Sequence, residues 1–90
     1  MTKEQANEIK KVINSETRWT TYYNSNKQEL RVLVCECTDE YKANFQKASI
    51  KNSAKVLTAL SKSGMRPKYR TETKRYQGFI NCFYLVFEQM

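Results

Sequence analysis

The chain has no histidine. That removes the side chain most often used as a general base near neutral pH, and with it a common nitrogen ligand for zinc. Cysteine is scarce and odd in number: Cys35, Cys37 and Cys82. Three thiols suit neither a secreted disulfide framework nor a four-ligand zinc site. Cys35-x-Cys37 therefore reads as a pair of small hydrophobic residues in a reducing compartment, with no zinc and no disulfide expected. One proline and two glycines leave little room for long loops or linkers. There is no Gly-rich phosphate loop and no Gly-x-Ser-x-Gly nucleophile turn. The longest apolar stretch, residues 79–87, contains Asn81 and falls far short of the roughly 20 residues needed to span a bilayer. The opening Met1-Thr2-Lys3-Glu4-Gln5 is polar and lacks the apolar core of a targeting peptide. These absences lead to the expectation of a soluble, cytoplasmic protein with no membrane partner.

Acidic residues are missing from one part of the chain. Residues 41–76 carry ten basic residues against a single acid, Glu72, whereas residues 1–37 carry six basic and five acidic residues. The balances are +9 and +1, within an overall +7. This excludes an acidic mimic of nucleic acid and any function that needs a strongly anionic surface. A concentrated basic segment makes physical sense if a polyanion or an acidic surface meets it.

What is present is globular composition: 40% hydrophobic and 12% aromatic residues in 90. That length suits one small basic domain over residues 1–90, with a modest core. Thr2 and Gln5 have capping-box spacing, and Ala6, Ile9 and Ile13 share a face, so residues 2–14 read as a helix. Residues 18–23 (Arg-Trp-Thr-Thr-Tyr-Tyr) read as a strand, Asn24-Ser25-Asn26-Lys27 as a turn, and residues 30–37 as a second strand. Thr38, followed by Asp39 and Glu40, resembles a helix start, and Gly64 with Pro67 a helix end. The spacing predicts a helix over 39–63, with Tyr41, Phe45, Ala48, Asn52, Val56 and Ala59 on its apolar stripe. Residues 68–75 and 79–88 read as a second hairpin turning at Tyr76-Gln77-Gly78. The last strand is apolar on both faces and belongs inside the sheet. The charged third strand suits an edge. The predicted fold is α+β, in the order α-β-β-α-β-β, with a four-stranded antiparallel sheet and both helices on one face.

The basic segment carries the main functional expectation. Lys47, Lys51, Lys55 and Lys62 fall on one helix stripe about 80° wide, because each residue advances by about 100°. Arg66, Lys68, Arg70, Lys74 and Arg75 follow within the next strand and its approach, with Tyr69 among them. Arginine grips phosphate bidentately, lysine supplies point charges and tyrosine offers a stacking face. Together these nominate one surface for DNA or RNA in a small non-enzymatic binding module, a format compatible with a regulatory protein of a phage or plasmid. The chain lacks the basic-Gly-aromatic signature of the RNA-recognition fold: residues 77–83 read Gln-Gly-Phe-Ile-Asn-Cys-Phe.

The competing class is a protein-interaction module, such as an inhibitor or adaptor directed at an acidic partner. It would use the uncovered sheet face or the basic surface, with Trp19, Tyr22 and Tyr23 as contact residues. The apolar excess of the last strand also suggests a homodimer through that face. No catalytic constellation emerges. Glu36, Asp39 and Glu40 form the only close group of acids, and helix capping accounts for two of them. A metal-free nuclease built on Lys, Arg and Tyr stays open on chemistry alone. No cofactor is implied.

Overall fold

A computed structural model describes residues 1–17 and 19–89. Helix α1 (Lys3–Glu16) leads into strands β1 (Thr21–Asn24) and β2 (Glu29–Thr38). A 3-10 segment (Asp39–Asn44) then runs into helix α2 (Phe45–Lys62), followed by strands β3 (Lys68–Tyr76) and β4 (Ile80–Gln89). All pairings are antiparallel, and the strand order is β1-β2-β4-β3. The architecture is the expected α+β one, with β4 inside the sheet and β3 at its edge. No helix among the described residues is long and apolar enough to cross a membrane.

Local chemistry explains where the elements begin and end. Thr2 and Gln5 form the reciprocal capping box that starts α1. The Asn24 carboxamide oxygen accepts from the amides of Asn26 and Lys27 and closes the first hairpin turn. In the second hairpin, Gln77 and Gly78 both have positive φ, at 53° and 77°, and the Phe79 amide bonds back to the Tyr76 carbonyl. That is the primed turn whose twist matches two antiparallel strands. After α2, Gly64 takes φ 76° and the Met65 amide reaches the Leu60 carbonyl, so the helix ends in a Schellman motif.

Both helices pack on one face of the sheet. Ala6, Ile9 and Ile13 of α1 and Val56 and Leu60 of α2 meet Leu30, Val32 and Val34 of β2 and Leu85 and Phe87 of β4. The buried side of α2 also carries Ser49 and Ser53, small residues that let it approach closely. A bulge between Leu33 and Cys35 inserts one extra residue into β2. The carbonyl of that residue, Val34, accepts a hydrogen bond from the Asn52 carboxamide at 2.6 Å.

Four expectations need correction. Residues 39–44 form a 3-10 segment, so α2 starts only at Phe45. Thr38 makes no capping bond, and its hydroxyl donates to the Glu40 carboxylate instead. The Asp39 carboxylate is drawn away to Asn81 and Arg75, and its amide bonds to the Phe79 carbonyl, so it closes the end of the sheet rather than a helix. Tyr41, expected on the apolar stripe, is 66% exposed because the 3-10 segment breaks the helical phase. The first strand starts at Thr21, and Arg18, where it was expected to open, lies outside the described residues.

The outer face of β4 is buried within the single chain. Val86 is fully buried, and Cys82 and Tyr84 nearly so. The roof over them is ionic. Arg31 makes a two-pronged bond to Glu72 at 3.1 and 3.0 Å, and its guanidinium lies 5.6 Å from the Tyr84 ring centre. Arg70 bonds to both Glu29 and Glu88. Burying the apolar outer side of β4 therefore needs no second copy of the chain.

Candidate nucleic-acid interface

Lys47, Lys51, Lys55 and Lys62 are all exposed on α2. They keep the narrow stripe expected of them because the helix is regular from Phe45 onward. Among the described residues none of the four has a carboxylate within ion-pair distance. From Lys47 to Lys62 the row covers fifteen helical rises, about 22 Å of helix axis. A groove of about 470 Å³ runs between the end of α1 and this flank of α2, lined by Lys51, Lys55, Lys62, Thr58 and, from α1 and its cap, Glu16 and Thr17. Ala54 and Thr58 keep the ground between the lysines low.

The rest of the nominated residues divide. Arg66 and Lys68 are exposed, and among the described residues neither is ion-paired. Arg66 borders a small apolar pocket with Leu57, Met65, Pro67 and Tyr69, on the flank of α2 away from the lysine groove. Tyr69 is half-exposed, with its ring edge-on to Phe87 at 6.2 Å. Arg70 and Lys74 lie on the opposite face of the sheet from the helices. Arg70 is paired with Glu29, Glu88 and Glu72, and Lys74 with Glu72 at 3.3 Å. Arg75 is held by Asp39, Asn81 and the Gly78 carbonyl. The single surface expected from the sequence is thus divided: a row of free lysines on α2, a neutralised ionic lattice on the open sheet face, and Arg66 with Tyr69 apart from both.

The lattice was not nominated from the sequence. Its one visible signal was Glu72, the lone acid in a basic stretch. That carboxylate lies among three cations, Arg31, Arg70 and Lys74. The Arg70 side-chain bond holds the Glu29 carboxyl below its usual range, against the opposing effect of burial. Burial raises Glu72, but the bonds from Arg31 and Lys74 outweigh it and the net shift is downward. Asp39 is lowered by its bonds from Asn81 and Arg75. Carboxyls depressed on folding contribute stability above their unfolded values, and that stability is lost as pH falls through the folded ones. The thermal midpoint should therefore stay level from pH 8 to about 5 and drop below about pH 4.5. A midpoint followed by circular dichroism that stays level down to pH 3 would show these pairs to be uncoupled from folding.

The competing contact residues also separate. Trp19 and Tyr23 pack against the main core, and the Tyr23 hydroxyl donates to the Met1 carbonyl at 2.8 Å. Tyr22 is 53% exposed on the open face. There it lines a groove of about 490 Å³ with Leu33, Tyr76, Ile80 and Tyr84.

The three thiols are free. Cys35 and Cys37 alternate onto the helix side of β2, while Cys82 faces the open side beside Glu36. Burial pushes the Cys37 and Cys82 thiols up, away from the reactive thiolate. Among the described residues no group of three or more acidic or cysteine side chains could hold a metal ion. The chain matches no protein-family model, no curated protein and no solved structure.

Proposed function

We propose that this chain is a small non-enzymatic nucleic-acid-binding module that grips phosphates with the outer face of α2. One observation carries the reading. Among the described residues the four lysines share one exposed stripe with no carboxylate within ion-pair distance of any of them, while Arg70, Lys74 and Arg75 of β3 are each held by an acid. A row of unmatched charge on a rigid rod is self-repelling, and a polyanion relieves the repulsion. Phosphate neutralisation also supplies sequence-independent affinity through counterion release.

The test is a salt titration with generic nucleic acid. With the four lysines engaged, and Arg66 and Lys68 joining at most, log affinity should fall with log salt at roughly −3.5 to −5.5 on duplex DNA. Reversing Lys51 and Lys55 to Glu should abolish binding. Reversing Lys3 and Lys10 on α1 should matter far less, and equal losses would mean that net charge alone is responsible. Arg70 is unsuitable for reversal, because a glutamate there would face Glu29, Glu72 and Glu88 and disrupt the fold.

The open-face groove favours a second reading, a protein-interaction module. Its tyrosine and aliphatic walls are suited to a partner's apolar side chains. Binding that survives moderate salt and is lost in Tyr22→Ala or Tyr76→Ala would select it.

A further inference from the structure

We infer that the α2 surface takes duplex nucleic acid, read through its backbone, and discriminates against single strands. This rests on the nucleic-acid reading of α2 and adds the class of ligand.

Among the described residues the helix surface that carries the lysines has no stacking platform. Proteins that hold single strands combine cations with aromatic rings, and each stacked base contributes about 1–3 kcal/mol. Among the described residues the exposed aromatic ones are Tyr22, Tyr41, Tyr69, Tyr76 and Phe79, and none of these belongs to α1 or α2. The one ring on α2, Phe45, is turned edge-on to Phe83 at 6.4 Å. Tyr22 and Tyr76 line the far face of the sheet, so a strand stacked on them could not touch the lysine row. Tyr41 stands six residues before Lys47, in the 3-10 segment, and one ring makes no platform for successive bases.

Rigidity also favours a duplex. The lysines are fixed on a straight helix, and their row of about 22 Å matches the axial length of roughly six base pairs. A duplex presents an equally stiff array of charge. A single strand must first be ordered against such a row, and without stacking nothing offsets that entropy. Counterion release points the same way, at about 0.9 per neutralised phosphate on duplex DNA against about 0.7 on single strands.

The experiment compares a random-sequence duplex with each of its separate strands by fluorescence anisotropy, between 50 and 200 mM salt. The expected result is duplex binding at least ten-fold tighter than single-strand binding at 50 mM. Across that range the duplex affinity should fall about 150-fold if four phosphates are engaged. Lys51→Glu with Lys55→Glu should abolish it, while Tyr22→Ala with Tyr76→Ala and Tyr41→Ala should leave it unchanged. Circular dichroism of each variant confirms folding. Single strands bound equally or more tightly, or duplex binding lost in the tyrosine variants, would overturn this inference while leaving a nucleic-acid function intact. Failure of both forms to bind at 50 mM salt would overturn the α2 reading itself.

Discussion

Replacing Phe87 with alanine should lower the free energy of unfolding by about 3–5 kcal/mol. Phe87 is fully buried on the interior strand, paired with Leu30 on one side and Tyr69 on the other. It lies in the core shared by both helices and the sheet. Truncation removes its transfer energy and leaves a cavity that the flanking strands, locked in their ladders, cannot close. A chain of this size has only about 5–13 kcal/mol of total stability, so the loss is about a quarter of it or more. Phe79→Ala is the control. That ring is 46% exposed in the second hairpin turn, and its loss should cost less than about 1 kcal/mol. Urea titration of both variants decides the matter, and similar midpoints would mean that the core is not centred on Phe87.

The second large effect concerns Glu72. Substituting leucine for it alone should cost about 2–3 kcal/mol, because Arg31 is left over the Tyr84 ring with its two-pronged partner gone. The Arg31 and Glu72 side chains are only 17% and 24% exposed, so water cannot fully replace the lost bonds. Adding Arg31→Met to Glu72→Leu should recover most of the stability, since removing both partners also removes their desolvation penalty. Arg70 keeps Glu29 and Glu88 in either case. The double-mutant cycle should thus show a coupling of more than about 1 kcal/mol. Simple additivity of the two losses would identify the pair as an ordinary surface contact. The double variant should also lose part of the acid sensitivity, because one depressed carboxyl has been removed.

Local signals were legible wherever the deciding chemistry lies within a few residues. Thr2 with Gln5, Asn24, Gln77-Gly78 and Gly64 each mark a turn or cap through a bond to a near neighbour, and each boundary falls at them. The lysine stripe was legible for the same reason, since helical phase follows from spacing alone. Thr38-Asp39-Glu40 misled because its local pattern is a sound capping pattern. The Asp39 carboxylate found partners 36 and 42 residues away, which no local rule can weigh. The ionic lattice was hidden more deeply. Alternation places Arg70, Glu72 and Lys74 on a common face, but which face depends on strand order. Their partners depend on a register that includes the β2 bulge.

The bulge has a bearing on α2 as well. Its spare carbonyl, Val34, is engaged by Asn52 from the helix above. The other contacts between α2 and the sheet are mostly small or aliphatic, and such contacts tolerate some rolling and sliding. A directional bond of 2.6 Å does not. Were α2 to creep forward by one residue, it would turn through about 100° and carry the lysines out of their solvent-facing arc. Asn52 therefore acts as a detent: a kink in a strand sets the angular position of a helix, and so the bearing on which its charge is aimed.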